Sequence, residues 1–206
     1  RVALREVEIS DLLSREEKSL DLNQMGYVTG KRILVTGGGG SIGSELVRQL
    51  LPAKPAQIVL FDIYENTTYE LYHDIIKTAH DQGTDIQVYI GSITHLPAIT
   101  KVFEKYHPQV VFHAAAHKHV PLMEHNAREA IENNVFGTLN VVRLADKYQC
   151  SHYVQISTDK AVNPTNVMGA TKRMDEMIVQ YYAANSKTIF TAVRFGNVLG
   201  SHGSVI

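Results

Sequence analysis

The chain has 206 residues, 44% hydrophobic and 20% charged, with a formal net charge of −1. This length fits a single domain that buries most of what its unfolded chain exposes. The near-neutral balance gives no electrostatic case for nucleic acid or an anionic membrane surface. Cys150 is the sole cysteine, so an internal disulfide is excluded and a reducing compartment fits. No apolar run approaches the roughly 18 residues that span a bilayer, and the first residues carry no signal-peptide pattern.

Residues 1–30 mix charges without a clear period and read as an arm or linker. Residues 32–35 form a first apolar strand, which breaks into glycines before a helix over 44–51. A strand over 57–61, a helix over 66–82 and a strand over 85–90 follow. Then come a short helix over 96–106, a strand over 109–113 and a long helical stretch over 124–148. The last units are a strand over 152–157, a helix over 168–185 and a strand over 188–194. Strands alternating with helices predict an α/β fold with a doubly wound parallel sheet. Ligands of such sheets sit beyond the carboxyl ends of the strands.

The turn after the first strand reads Thr36-Gly37-Gly38-Gly39-Gly40-Ser41-Ile42-Gly43. Gly37, Gly40 and Gly43 give GxxGxxG spacing, which lets backbone approach a pyrophosphate at a helix N-terminus. A glycine-rich turn alone is a weak signal; the strand before it and the helix after it supply the context. The second strand ends in Asp62, 19 residues beyond Gly43, where a carboxylate accepts ribose hydroxyls and repels a 2′-phosphate. No arginine stands in residues 63–66, so NAD is favoured over NADP. Residues 31–206 therefore read as a dinucleotide-binding domain of the Rossmann type, with a substrate-binding portion expected beyond Ile206.

At later strand ends stand Ser92-Ile93, His113-Ala114-Ala115, Ser157-Thr158-Asp159-Lys160 and Phe195-Gly196-Asn197-Val198. Met168 and Lys172 are four apart and share a helix face. Lysines are mostly solvated, and Asp159 with Lys160 could be an ordinary surface pair; their place at a strand end makes them candidates for chemistry. His113, His117, His119 and His125 suggest zinc, but no cysteine or carboxylate cluster accompanies them, so no metal is expected.

These stretches resemble the extended short-chain dehydrogenase/reductase family. The likeness is to the nucleotide-sugar 4,6-dehydratases of bacterial polysaccharide biosynthesis, the CapD-like proteins, especially the membrane-anchored UDP-N-acetylglucosamine 4,6-dehydratases. It runs through residues 35–46, 61–71, 113–137, 157–173 and 193–206, and residues 5–13 resemble the linker that follows the family's membrane segment. It implies a cytoplasmic domain tethered to the inner face of a bacterial membrane, a UDP-linked N-acetylhexosamine substrate and a homo-oligomer.

The resemblance implies cofactor contacts at Gly37, Gly40, Ser41, Ile42, Gly43, Asp62, Ser92, Ile93, Ala114, Ala115, Lys172, Phe195 and Val198, and sugar-nucleotide contacts at Thr158, Met168 and Asn197. NAD would take hydride from the sugar C4 and return it to C6. Lys160 would remove the C5 proton as a neutral amine, and Asp159 would protonate the departing C6 hydroxyl. Thr158 would bond the C4 hydroxyl, and Lys172 would hold the nicotinamide ribose. Adjacent acid and base need ionisation tuned toward neutrality.

Two departures bear on this. Met168 stands where the wider family has the tyrosine of YxxxK, which leaves the base for the 4-hydroxyl open among Asp159, Lys172 and a water held by Thr158. Ser92 replaces an aspartate that many relatives place against adenine. Rival readings are a sugar-nucleotide epimerase or reductase, and a non-catalytic NAD-binding regulator.

Overall fold

A computed structural model describes residues 21–198 of the chain. One sheet carries β1 (Arg32–Thr36), β2 (Gln57–Asp62), β3 (Asp85–Ile90), β4 (Val110–His113), β5 (His152–Thr158) and β6 (Ile189–Phe195). The strands are parallel throughout, in the order β3-β2-β1-β4-β5-β6. That order defines the doubly wound dinucleotide fold, which the alternation of strands and helices predicts.

β1 shows why the sheet lies in the middle. Ile33, Leu34 and Val35 are all fully buried, as a central parallel strand with both faces covered requires. Side chains alternate across a strand. Ile33 and Val35 accordingly pack with α1 (Ser41–Leu50) and α2 (Glu65–Gln82), whereas Leu34 faces the opposite cluster. That cluster is completed by α3 (Leu96–Tyr106), α6 (Thr138–Lys147) and α7 (Val167–Asn185). β3 and β6, at the edges, expose alternate or successive residues.

Helix ends follow local chemistry. α2 stops at Gly83, whose φ of 76° suits the left-handed position that ends a helix. α3 opens with Pro97 in its first turn, and α7 is capped by Asn166, whose side chain accepts from the Gly169 N–H.

The long helix expected over 124–148 is not continuous. The chain forms α4 (Val120–His125) and α5 (Ala127–Ala130), then a π-helical segment (Ile131–Gly137) that leads into α6. Asn126 breaks the run at φ −132° and ψ 49°. Within the π segment, Asn134 turns inward to bond the backbone of His117 and the hydroxyl of Thr171. A π segment of this kind is common at functional sites.

Residues 1–20 and 199–206, including the linker-like stretch 5–13, lie outside the described residues. At the end of the expected arm, Met25 and Val28 are buried in the cluster that covers Ile33 and Val35. Among the described residues, no helix is long and apolar enough to cross a membrane.

Candidate active site

The glycine turn joins β1 to α1 at the point where strand order reverses. Gly37 has φ 68° and donates to the Phe61 carbonyl at 2.8 Å. A β-carbon there would lie 2.6 Å from the Ala115 nitrogen, and one on Gly43 would overlap the Gly37 carbonyl oxygen. The N-cap Gly40 brings no side chain to the first turn of α1, which leaves a backbone cradle where a helix N-terminus favours an anion. Asp62 is nearly buried; its carboxylate accepts from the Gly39 N–H at 2.8 Å and the Tyr64 N–H at 2.9 Å. Those bonds fix an acceptor beside the cradle at the end of β2, as the adenosine end of a dinucleotide needs.

Gly43→Ala is expected to weaken dinucleotide binding at least tenfold and to cost about 1–3 kcal/mol of stability, because backbone must yield to the methyl. Titration with the dinucleotide and thermal unfolding check this. Unchanged affinity would contradict the cradle.

Beyond β4, β5 and β6 opens a cleft of about 390 Å³, within the range of small-molecule sites. Ile42 and Ala114 line it on the cradle side, Thr158 and Lys160 at the end of β5, and Met168 and Lys172 on α7. Phe195, Asn197 and Val198 close the side formed by the end of β6, and His117, Lys118 and His119 form part of the rim.

Lys160 sits in a one-turn 3₁₀ segment (Asp159–Ala161), with Nζ 3.2 Å from Asp159 Oδ1 and 3.1 Å from Asn197 Oδ1. Thr158 donates its hydroxyl to Asp159 at 2.9 Å and accepts from the Lys160 N–H. α7 approaches this turn closely because Gly169 lacks a side chain; a β-carbon there would overlap the Lys160 carbonyl oxygen.

Ser92, Ile93 and His113 lie outside the lining of this cleft. Ile93 is buried in the core, its side chain facing Gly137, and the Ser92 hydroxyl is engaged with Thr94 in a local turn. His113 does not line the cleft. It is fully buried between the hydroxyls of Thr36, at 2.6 Å, and Thr138, at 2.9 Å. Burial and the Lys172 charge push its imidazole down to about 3, so it is neutral. Among the described residues, no group of three or more His, Cys, Asp or Glu side chains is placed to hold a metal.

The ionisation of the pair departs from the tuning expected for an acid. Asp159 is more than half exposed, and the Thr158 hydroxyl, followed by Lys160, holds its carboxyl below the usual range. The partial burial that the open cleft gives this carboxylate acts in the opposite direction and does not offset those bonds.

Two buried carboxylates that periodicity does not mark as functional stand behind the cleft. Asp175 lies 2.7 Å from Lys172 Nζ, with both side chains almost completely buried. Glu176 accepts from the Ser157 hydroxyl at 2.7 Å and takes both forks of Arg194, at 2.7 and 2.6 Å, with Arg173 at 3.1 Å. The i, i+3 spacing of Lys172 and Asp175 is visible in the sequence; their shared burial is not.

Comparisons with known proteins agree with this architecture. Residues 33–206 match the family described as "Polysaccharide biosynthesis protein". The chain is 50% identical to the capsular polysaccharide biosynthesis protein CapD of Staphylococcus aureus, over 98% of this chain and 34% of that protein. A UDP-N-acetylglucosamine 4,6-dehydratase (inverting) of Campylobacter jejuni is 35% identical, over 86% of this chain and 52% of that protein. A UDP-glucose 4-epimerase of Rickettsia bellii is also 35% identical, over 85% of this chain and 51% of that protein. The chain thus spans about a third of CapD and about half of the other two. Pen from Bacillus thuringiensis superposes with a TM-score of 0.79 at 35% identity, covering 87% of this chain and 56% of that one. With the Rossmann topology, the glycine cradle and the family match over residues 33–206, the chain belongs to the polysaccharide biosynthesis protein family, on the extended short-chain dehydrogenase/reductase fold.

Proposed function

We propose that the protein catalyses the 4,6-dehydration of a UDP-linked N-acetylhexosamine, UDP-N-acetylglucosamine first among them, with NAD as internal redox partner. The observation that carries this reading is Lys160, joined to Asp159 and Asn197 at the mouth of the cleft that Met168 and Lys172 also line. Epimerisation needs no acid to expel water, so an adjacent carboxyl and amine favour dehydration over the epimerase that the relatives also include. A regulator that only binds dinucleotide would need neither group.

The cradle of Gly37, Gly40 and Gly43, with Asp62 at the ribose position, fits a dinucleotide and favours NAD, since a second phosphate would meet a carboxylate. When bound, the nicotinamide supplies a reversible hydride acceptor. Lys160, as the neutral amine, takes the C5 proton that a 4-ketone acidifies, and after water has left it returns a solvent-exchangeable proton to C5. Asp159 gives a proton to the C6 hydroxyl as water leaves. Covering the pair with a sugar removes water from Asp159 and raises its carboxyl toward the acid role. Thr158 orients Asp159 and reaches the C4 hydroxyl, while Lys172 holds the nicotinamide ribose. Met168 cannot accept a proton, so the 4-hydroxyl is deprotonated by Asp159, Lys172 or a water on Thr158.

A homo-oligomer belongs to the same proposal: Met174, Met177 and Tyr181 form an exposed apolar face on α7. So does a tether to the inner face of a bacterial membrane, which rests on the likeness of residues 5–13.

The protein, with any natively flanking sequence present, is incubated with UDP-N-acetylglucosamine and the product is weighed. A product lighter by one water is expected. An unchanged mass with altered stereochemistry at C4 would replace dehydration by epimerisation.

A further inference from the structure

The buried pair behind the cleft has a role that holding a helix together does not explain. A buried ion pair is weak evidence for stability, because desolvation offsets most of its attraction. Here Lys172 Nζ donates to Asp175 Oδ2 at 2.7 Å, Lys172 lines the cleft, and Asp175 lies wholly behind it. Asp175 Oδ1 makes no hydrogen bond within ordinary limits, although the Thr138 hydroxyl, which also meets His113, lies near enough to favour the ionised form. Taking such a carboxylate out of water is costly unless a cation is paired with it, as Lys172 is here.

The groups facing the pair come from every element around it. His113 on β4 is neutral. Tyr153 on β5 is held protonated by burial and donates to Gln155. Thr138 begins α6. Glu176, the next residue on α7, is neutralised by Arg194 and Arg173. The charge of Lys172 is therefore offset by Asp175. With Asp62 fixing the adenosine end at β2, the other half of a dinucleotide falls beyond β4, β5 and β6. That is the wall from which Lys172 faces the cleft.

We propose that Asp175 is a positioning residue that balances the charge of Lys172, so that the cleft accepts the cationic oxidised nicotinamide ring as well as the neutral reduced one. This rests on the reading of the cleft as a nicotinamide site. The oxidised ring carries a positive charge that the reduced ring lacks, so an uncompensated ammonium in a dry wall penalises only the oxidised form. Burial raises the Asp175 carboxyl to about 6, which leaves it ionised and balancing Lys172 at neutral pH and above.

The test is the ratio of dissociation constants for NAD and its reduced form, measured by calorimetry and by fluorescence of the reduced ring at about pH 8. In Asp175→Asn the ratio is expected to move roughly tenfold or more toward the reduced form, equivalent to about 30 mV per tenfold change. Asp175→Glu, which keeps the charge, is expected to restore most of it. A merely structural role would weaken both forms alike. If Asp175→Asn fails to fold, Asp175→Ser, which also removes the charge and leaves Lys172 in place, is measured instead, with the same shift of roughly tenfold toward the reduced form expected. A ratio unchanged within about twofold in these comparisons would overturn the role of Asp175. Failure of the native protein to bind either form would instead overturn the dinucleotide reading itself.

Discussion

Lys160→Ala is expected to lower the turnover of UDP-N-acetylglucosamine by about two to four orders of magnitude, the range that a positioned general base contributes. The side chain that disappears is the amine joined to Asp159 and Asn197 where β5 and β6 end. The backbone of that turn is held by other groups, since the Asp159 carbonyl accepts from Val162 and Gly169 packs against the Lys160 carbonyl. Dinucleotide affinity is therefore expected to stay within about threefold of the native value, which separates lost chemistry from lost binding. Single-turnover kinetics with a parallel dinucleotide titration makes the measurement. Native turnover in the variant would remove Lys160 from the base role, and a parallel collapse of dinucleotide binding would make its role structural.

A large and pH-dependent stability effect is expected at Glu176. Its side chain is 3% exposed and gathers Ser157, Arg194 and Arg173. The Arg194 guanidinium, first among these causes, pulls its carboxyl down to about 2 from an ordinary value near 4.5. A depressed carboxyl contributes stability that is complete above the unfolded pKa and is lost as pH falls through the folded one. Its full value would be about 3 kcal/mol. The two arginines are about two-fifths exposed, so solvent screening reduces this to about 2 kcal/mol.

Glu176→Gln is expected to destabilise the protein by about that amount at neutral pH. The gap from native should narrow as pH falls from about 4.5 toward about 2. Urea unfolding of both proteins across this range tests it, and a gap independent of pH would rule out the ionic clamp. Glu176→Ala should cost more, because two arginines and a buried hydroxyl lose their partner. Arg194 lies just before Phe195, Gly196 and Asn197, so the clamp also fixes the strand end that presents Asn197 to Lys160.

The sequence carried the fold through periodicity and punctuation. The helix at residues 96–106 and the strand at 85–90 form where their patterns place them, and Gly37 and Gly43 of the β1–α1 turn stand where a side chain would strike backbone. Thr158, Lys160, Met168, Lys172 and Asn197 meet in one cleft because the strand-end rule gathers carboxyl termini.

What periodicity could not carry was burial and pairing in three dimensions. A π segment preserves helical hydrophobicity, so the turn of Asn134 toward His117 left no trace in the pattern of residues 124–148. Glu176 and Arg194 are 18 residues apart and meet through the packing of α7 against β6. His113 carries a polar side chain at a strand end, which suggested the cleft; two buried threonine hydroxyls satisfy it in the interior instead. Ile93 follows the same logic, since the missing side chain of Gly137 opens a core pocket for it.

Proton transfer at C5 by Lys160 is the central step of the proposed reaction, and solvent labelling measures it most directly. The reaction is run in deuterated water with UDP-N-acetylglucosamine, and the product is resolved by proton and carbon NMR. A 4-keto-6-deoxy sugar nucleotide with deuterium at C5, absent from the Lys160→Ala reaction, is the predicted result. A dehydrated product without solvent deuterium at C5, or one that forms equally in the variant, would contradict it.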